Sequence, residues 1–440
     1  MSTDWQAYQL NELCDFTNGF AFKSTDYVEK SKDTIEVFRM GYICRGGGFK
    51  EDSTPVFVPR AYGKSLEKYI LNTGDVVIAM TDMKDKVAIL GNTARIRHNN
   101  RFALNQRVGC IRVKRHDLLC PDFLYFYSNS LPHVDYLRSR ANSGVQVNLS
   151  TSAIKESQLV IPPLAEQKYI ASILIALDDR ITLLRETNAT LEGIAQALFK
   201  SWFVDFDPVR AKMQGRAPEG MDEATAALFP DSLEQSELGL VPTGWRVSEL
   251  GDHTCYLSRG ISPKYIENGG IAVINQKCIR DFSVDLSKAR RHDTEQRKTD
   301  GRELCRGDIL VNSTGVGTLG RVAQILSLEQ PAIVDSHVTV MRADASITWN
   351  YLGLSIMMRQ SEIEDMGEGS TGQTELSRSK LAKLKLLISP KVILQVFDDA
   401  IVPLREKFST NQIQGQTLAT LRDTLLPRLI SGALRLDAVA

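Results

Sequence analysis

The residues whose spacing most resembles a chemical site are three glycines in the segment STGVGTLG, residues 313–320. Gly315, Gly317 and Gly320 spell G-x-G-x-x-G and follow the apolar run GDILVN. In a dinucleotide-binding fold such a turn cradles a pyrophosphate, and its third glycine opens a helix. Here Gly320 is followed by RVAQIL, whose alternating pattern predicts a strand. We therefore predict a hairpin loop rather than a cofactor cradle.

Other short motifs give no convincing catalytic site. The GKS at residues 63–65 lacks the earlier glycine of a phosphate-binding loop, because Val58 occupies that position. A metal nuclease built from Asp122, Glu166 and Lys168 is disfavoured, since Glu166 stands at the entry of a predicted long helix. The seven cysteines are scattered and include no C-x-x-C pair, which argues against zinc. We predict that the chain holds no catalytic residue, metal or cofactor.

The composition is that of a globular protein without a membrane segment. The 53 Lys and Arg balance 53 Asp and Glu, and no apolar run is long enough to span a bilayer. The N-terminus lacks the pattern of a signal peptide and the cysteines are odd in number, so we predict a cytoplasmic protein. Residues 83–115 contain nine Lys and Arg and one acid. Such a basic stretch favours a polyanionic partner.

The chain contains an internal repeat, which is the strongest feature of the sequence. LNTGDVVIAMT at residues 71–81 matches LCRGDILVNST at residues 304–314. GVQVNLSTSAIKESQLVI at residues 144–161 matches GQTELSRSKLAKLKLLI at residues 372–388. The turn that corresponds to the glycine-rich segment is the charged MTDMKDK, which has no glycine. Because a cofactor cradle would be kept in both copies, the repeat also favours a loop of another kind.

Each copy ends in an amphipathic stripe that predicts a long helix. Apolar residues recur at steps of three and four, and the two stripes coincide at an offset of 227 residues. Two such faces would bury each other as an antiparallel pair. The residues predicted to pair the helices or to dock partners are Ile170, Leu174, Leu177, Ile181, Leu191, Ile194 and Leu198 in the first helix and Phe397, Ile401, Leu404, Phe408, Leu418, Leu421 and Leu425 in the second.

These features predict a mixed α/β (α+β) fold with two tandem heads, each followed by a long helix. The two helices would form an antiparallel coiled coil, and the whole chain would be an internal pseudo-twofold repeat. The predicted segments are a first head at 1–161, a helix at 162–204, a connection at 205–244, a second head at 245–389 and a helix at 390–435. The connection is acidic and rich in Pro and Gly, so we expect it to be extended on the surface with at most one short helix.

The repeat alone leaves two classes of function open. A chain with two similar heads fits a pseudo-symmetric partner such as duplex DNA, whose successive helical turns present equivalent surfaces. A duplicated scaffold that binds only protein is the alternative. A self-sufficient enzyme is disfavoured by the absence of catalytic motifs.

Two segments carry a family resemblance. PPLAEQKYIASILIALDDRITLLRETNATLEGIAQALFKSWFVDFDPVRAK, residues 162–212, strongly resembles the central conserved region of the specificity subunits of Type I restriction-modification enzymes. STNQIQGQTLATLRDTLLPRLISG, residues 409–432, is similar to their C-terminal conserved region. The second helix departs from the pattern, because it opens with SPKVILQVFDDA where the first has PPLAEQKYIASI.

The resemblance implies a function and a set of partners. Each head would be a target recognition domain that reads one half of a bipartite sequence in double-stranded DNA. The helices would set the unread spacer and dock two methyltransferase subunits, which use S-adenosylmethionine to methylate adenine. Two restriction subunits would add translocation and cleavage with ATP and Mg²⁺. The specificity subunit itself would do no chemistry.

Three places in each head offer polar side chains on turns, where readout of the major groove needs them. They are the turn after the GD strand, the loop before the last strand of the head, and the segments NQRVG and DSHVT. The candidate DNA-binding residues are Thr81, Lys84, Lys86, Arg95, Gln106, Arg107, Ser143, Gln146 and Asn148 in the first head and Lys277, Ser313, Thr314, Thr318, Arg321, His337, Ser370 and Gln373 in the second.

Overall fold

The computed structural model describes residues 4–51, 54–62, 64–83, 87–143, 146–368 and 374–435. The chain divides into two units, one made of residues 1–183 and 415–440 and the other of residues 184–414. Each unit therefore contains one head together with parts of both long helices. No helix in the described ranges is long and apolar enough to cross a membrane.

The first head combines short strands with four short helices. Its strands are β1 Gln6–Gln9, β2 Cys14–Asn18, β3 Thr34–Phe38, β4 Phe57–Pro59, β5 Val76–Ala79, β6 Thr81–Met83, β7 Thr93–Arg95, β8 Phe102–Leu104, β9 Val108–Val113, β10 Asn142–Ser143, β11 Gln146–Asn148 and β12 Gln158–Ile161. Its helices are α1 Leu10–Leu13, α2 Pro121–Ser128, α3 Leu131–Ser139 and α4 Thr151–Lys155.

The GD strand of the first head lies at the centre of its largest sheet. The strand order is β2-β9-β5-β7, and all four residues of β5 are buried. Val77 is paired with Cys110 on one side and with Ala94 on the other. A run of β-branched residues suits this position, because both faces of the strand are covered.

A 40-residue helix, α5 Leu164–Phe203, follows the first head and leads into the connection. The connection contains α6 Asp207–Met213, α7 Glu223–Ala227 and a hairpin of β13 Leu233–Ser236 and β14 Gly239–Pro242. The expectation of an extended surface segment with at most one short helix is wrong. Phe206, Val209 and Phe229 are buried in the core of the second unit, because a few widely spaced apolar residues among the acids anchor the segment.

The second head repeats the plan of the first. Its strands are β15 Arg246–Glu249, β16 Thr254–Arg259, β17 Tyr265–Ile266, β18 Ile271–Ile274, β19 Ile279–Arg280, β20 Ser283–Val284, β21 Arg290–His292, β22 Ile309–Asn312, β23 Val322–Gln324, β24 Ala332–Val334, β25 Val338–Ala343 and β26 Lys385–Ile388. Its helices are α8 Trp349–Met358, α9 Gln360–Asp365 and α10 Arg378–Ala382, and the chain continues into α11 Lys391–Ile430.

The four-stranded sheets that contain the GD strands of the two heads correspond strand for strand. The order β16-β25-β22-β23 matches β2-β9-β5-β7 of the first head. Each head also has a parallel pair in a second sheet, with Phe38 opposite Leu104 in one head and Ile274 opposite Val334 in the other. The internal repeat of the sequence is thus a repeat of the fold.

Within each unit the two long helices contact each other in antiparallel directions. In the second unit Asn411 donates from Nδ2 to Oδ1 of Asn188 at 2.9 Å, and one turn along α5 Glu192 forms an ion pair with Arg405. In the first unit Nη1 of Arg422 lies 2.7 Å from Oδ1 of Asp178. These polar layers interrupt the apolar faces, and such layers fix the register of paired helices.

The apolar stripe was predicted correctly at some positions only. Fully buried members are Ile170, Leu174, Ile181, Phe397 and Ile401. Partly buried members are Leu177, Leu191, Leu198, Leu404, Phe408, Leu418 and Leu425.

Two members of the stripe, Ile194 and Leu421, are 48% and 45% exposed, so pairing is wrong for them. On α5, the neighbouring Ala195 and Phe199 are buried instead of Ile194. For Ile194 and Leu421, docking of a partner stays a prediction.

Candidate nucleic-acid interface of the two heads

Both heads depend on the buried aspartate of the repeated GD pair. In the first head Nε and Nη2 of Arg112 lie 2.7 and 2.6 Å from the carboxylate oxygens of Asp75. In the second, the same atoms of Arg342 lie 2.6 and 2.8 Å from those of Asp308. Such bidentate pairs fix geometry as well as charge. They hold the central strand of each sheet, from whose end the candidate loops emerge.

In the first head, three chain segments meet around Met80, at the end of β5. The Met80 N–H donates to the carbonyl oxygen of Arg107 at 3.1 Å, and the Met80 carbonyl accepts from the Leu149 N–H at 2.8 Å. The three places predicted from the sequence are therefore brought together.

The second head has the same arrangement around Ser313. Its N–H donates to the His337 carbonyl and its carbonyl accepts from the Leu376 N–H, both at 2.8 Å. The backbone frame is the same in both heads, while the side chains on it differ.

Candidate residues of the first head form two groups on this frame. On the β6–β11 pair, Thr81 donates from Oγ1 to Oδ1 of Asn148 at 2.9 Å, and Gln146 is exposed opposite Met83. On the neighbouring turn Gln106 and Arg107 are exposed.

Some candidates of the first head are placed less favourably or are not described. Arg95 is largely buried in an ion pair with Asp122, so its charge already has a partner inside the head. Lys84 and Lys86 lie outside the described residues, as does the side chain of Ser143.

The second head carries a hydrogen-bonded network at the same place. Nε2 of Gln276 donates to Oγ1 of Thr314 at 2.6 Å, and that oxygen lies 2.8 Å from Nδ1 of His337. The Thr314 hydroxyl thus bonds both side chains and fixes the orientation of the imidazole ring. His337 is exposed. The network therefore positions an imidazole ring at the surface.

In each head an Asn or Asp side chain fixes the turn that carries Arg107 or His337. Oδ1 of Asn105 accepts from the Gln106 N–H at 2.8 Å, and Oδ1 of Asp335 accepts from the His337 N–H at 2.9 Å. Burial raises the pKa of Asp335, while the His337 N–H works in the opposite direction. These bonds orient the exposed residues that follow.

The glycine-rich segment is a hairpin loop, as predicted. It joins β22 to β23, which pair antiparallel, and no helix begins at its third glycine. Gly315, Gly317 and Gly320 have φ of 104°, 70° and 81°, values that L side chains rarely adopt. Val316, at the tip, is 79% exposed. The loop thus brings its backbone to the surface.

The polar residues of this loop divide between surface and interior. Arg321 donates from Nη2 to the Gly317 carbonyl at 2.8 Å, and Thr318 is half-buried beneath the turn. Ser313 is completely buried and bonded to Thr339, so it cannot contact DNA and the prediction is wrong there. Lys277 is exposed beside Gln276. Ser370 and Gln373 lie outside the described residues.

Sequence reasoning missed Gln276 and Asn312. Gln276 anchors Thr314, and Asn312 donates from Nδ2 to the Gln276 carbonyl at 3.2 Å. Gln276 follows a β-branched run and Asn312 ends one. Such a position in the sequence indicates a polar residue at the end of a strand. Gln276 and Asn312 are close because two sheets meet, and the contact between two sheets cannot be predicted from the pattern of either segment alone. In the described part of the chain, no three His, Cys, Asp or Glu residues group as metal ligands would.

A family model described as Type I restriction modification DNA specificity domain matches residues 2–193. The Type I restriction enzyme HindI specificity subunit of Haemophilus influenzae is 27% identical over 367 residues, covering 72% of this chain and 78% of that protein. The MjaIX specificity subunit of Methanocaldococcus jannaschii is 27% identical over 333 residues, covering 73% and 71%.

A solved structure shares the fold. The S subunit of a Type I restriction-modification system from M. genitalium has a TM-score of 0.61 at 14% identity, covering 98% of this chain and 97% of that one. The family model over residues 2–193, the relatives and the duplicated heads agree, so this chain is similar to the specificity subunits of Type I restriction-modification enzymes.

Proposed function

We propose that this chain is the non-catalytic DNA-recognition subunit of a Type I restriction-modification complex, in which each head reads one half of a bipartite target. The observation that carries the proposal is the identical backbone frame around Met80 and Ser313 beneath different polar side chains. A fold duplicated to bind one partner twice would keep the surface residues alike. A fold duplicated to read two different sequences keeps the backbone frame and varies the exposed side chains on it.

The clearest variation is at the position of Arg107 and His337. The carbonyls of both residues accept the equivalent frame hydrogen bond, so their side chains leave the two heads at corresponding points. Arginine is suited to bidentate contact with the O6 and N7 acceptors of guanine. His337 offers one ring nitrogen, Nε2, to a base edge or a phosphate, because Nδ1 is bonded to Thr314. The two heads would therefore read different bases with one geometry.

The partners follow from the similarity to specificity subunits. Two methyltransferase subunits would dock on the helices and methylate adenine with S-adenosylmethionine, and two restriction subunits would use ATP and Mg²⁺. This chain would hold none of these cofactors. The exposed Ile194 and Leu421 are suited to such docking, because an apolar side chain left in water favours association. We also propose that the length of the paired helices, each about 60 Å at 1.5 Å per residue, sets the spacer.

The experiment that tests the proposal is an exchange of heads read out by methylome sequencing. Residues 1–161 are replaced by the first head of another specificity subunit, and the modified motif is mapped in cells that carry the whole system. We expect a change in one half of the motif, with the other half and the spacer kept. A change in both halves, or in neither, would contradict the proposal.

A finer test uses the matched variants Arg107→Ala and His337→Ala in the complex with the methyltransferase. Loss of one base contact costs about 1–3 kcal/mol, so each variant should weaken binding of its target roughly 5- to 150-fold. Each should also relax discrimination in its own half-site alone. Arg216→Ala, in the exposed part of the connection, is the control for a lost charge. Equal relaxation of both half-sites by either variant would show that the heads do not read independently.

A further inference from the structure

The first unit contains a cavity of about 870 Å³, and none of the candidate DNA-binding residues lines it. Its walls include Trp5, Tyr127, His133 and Tyr136 from the head and Ile430 from the end of α11. His133 is buried, and this burial lowers its pKa to about 4, so the imidazole is neutral. The centre of the cavity is therefore aromatic and uncharged.

Charged residues complete the lining of this cavity. Arg140 and Glu156 belong to it and are exposed, and the Arg140 guanidinium lies 5.1 Å from the centroid of the Tyr136 ring. An apolar centre enclosed by residues of both charges is the usual anatomy of a protein-binding hot spot.

The second head shows what covers the equivalent surface. Trp5 precedes β1, and Trp245 holds the same place before β15. Trp245 is only 4% exposed, because Phe203 and Phe206 pack on it with ring centroids 5.7 and 5.8 Å away. Phe206 begins the connection, so this aromatic surface is covered by a polypeptide segment that follows a long helix.

The connection also covers the adjoining pair of strands. Gln158 faces Gln9 in the first head, and Lys385 faces Glu249 at the same register in the second. Nζ of Lys385 lies 3.4 Å from Oε1 of Glu237, at the turn of the hairpin in the connection. Gln158 lines the cavity and is exposed.

The residues of this chain next to Trp5 are too small to fill the cavity. At the repeat offset of 227 residues the counterpart of Phe206 is Ala433. A Cβ added to Gly432 would lie 3.1 Å from the Trp5 ring, so the backbone itself runs against the indole. The described residues after α11 thus supply no aromatic side chain where the second head has one.

We propose that this cavity is a docking pocket for a large apolar side chain, of the phenylalanine or leucine class, carried by a segment of the methyltransferase subunit. The inference rests on the proposed function, which supplies that partner. A polypeptide occupant is favoured over a small molecule because the sister surface is covered by one. A second copy of the chain is disfavoured because its own connection is already packed on its own Trp245. In the second unit the equivalent surface is covered by the connection, so the pocket would serve one of the two docked subunits.

The test fills the pocket without removing a core residue. Ser431 lines it, and Ser431→Trp places an indole there. Ser139→Trp is the matched control, because Ser139 is also an exposed serine at a helix end whose hydroxyl donates to the carbonyl three residues earlier. Titration of the purified full chain with the methyltransferase subunit, followed by calorimetry, gives the affinity and the number of equivalents bound. Thermal melting of the free variants checks that both are folded.

We expect Ser431→Trp to weaken the binding of one of the two methyltransferase equivalents at least tenfold and to leave the affinity for the other unchanged. Ser139→Trp should bind both as the wild type does. Hydroxyl-radical footprinting of the wild-type complex should protect Tyr136. Unchanged binding by Ser431→Trp, or an unprotected Tyr136, overturns the docking pocket and leaves the proposed function standing. Failure of the wild-type chain to bind the methyltransferase at all overturns the proposed function instead. Self-association of the free chain that Ser431→Trp abolishes would assign the pocket to a second copy and overturn the inference.

Discussion

The first and second heads agree where the chain is buried and differ where it is exposed. The Asp75–Arg112 and Asp308–Arg342 pairs have the same geometry. On the surface above them, however, Arg107 stands in one head where His337 stands in the other. Buried polar groups need partners, so a duplicated frame can change only by changing both partners together. Exposed side chains carry no such constraint. The fold is therefore preserved by its interior, while recognition is free to diverge.

A second contrast concerns the tryptophan that begins each head. Trp245 is covered by the connection, and Trp5 borders an open cavity. The difference arises because one linear chain has a single connection to place over two equivalent surfaces. A duplicated fold thus leaves one copy of an internal interface unfilled.

The largest expected effect is the loss of a frame aspartate. Asp308→Ala leaves Arg342 without its carboxylate, and we expect the free energy of unfolding of the second head to fall by about 3 kcal/mol. Asp75→Ala should have a similar effect on the first head. Denaturant titration followed by hydrogen exchange in each head measures both.

Asp117→Ala is the control, because Asp117 forms a pair with Arg115 on an exposed loop, and we expect no measurable change. An effect confined to one head would show that the frames are alike in geometry but not in energetics.

The next largest expected effect is the loss of stability of the first head at acidic pH. Burial lowers the pKa of His133 in the folded first head to about 4, below its ordinary value of about 6.5. Between these two values the unfolded chain binds a proton that the folded chain does not. Stability from this group is therefore complete above pH 6.5 and is lost as pH falls toward 4, by on the order of 2–3 kcal/mol.

His133→Leu should flatten this pH dependence of unfolding for the first head and leave that of the second head unchanged. Fluorescence-monitored denaturation at pH 7 and pH 4.5, with hydrogen exchange to separate the heads, measures it. An equally steep loss in the variant would assign the acid sensitivity to other groups.

The smallest effect distinguishes two glycines of one loop. Gly317→Ala meets nothing within 4 Å, so the expected cost is only that of a positive φ, about 1 kcal/mol. Gly320→Ala would place its Cβ 2.5–2.8 Å from Cγ, Cα and N of Glu364, and we expect a larger loss of stability. Melting temperatures of the two variants compare them. A larger loss for Gly317→Ala would show that the tip, rather than the base, supports the loop.

Much of the fold and part of the candidate interface follow from the sequence. The hairpin at residues 313–320 was predictable because its partner segment in the repeat has no glycine. The three segments that meet at Met80 and Ser313 were identifiable as polar stretches at strand ends. Ser313 itself was not, since a serine at a strand end is polar whether it faces water or Thr339. The exposure of Ile194 was missed for a related reason: steps of three and four define two neighbouring faces of a helix, and packing selects one.

The sequence by itself determined that the protein is duplicated, that each copy is a mixed head with a long helix, and that the helices carry the signatures of specificity subunits. These are properties of local pattern and of repetition along the chain. Only the tertiary structure decided which apolar face is buried, how Gln276 and His337 come together on Thr314, and that the connection covers Trp245 while Trp5 borders a cavity. Each depends on segments distant in sequence competing for the same buried space, and a linear pattern does not record which segment occupies it.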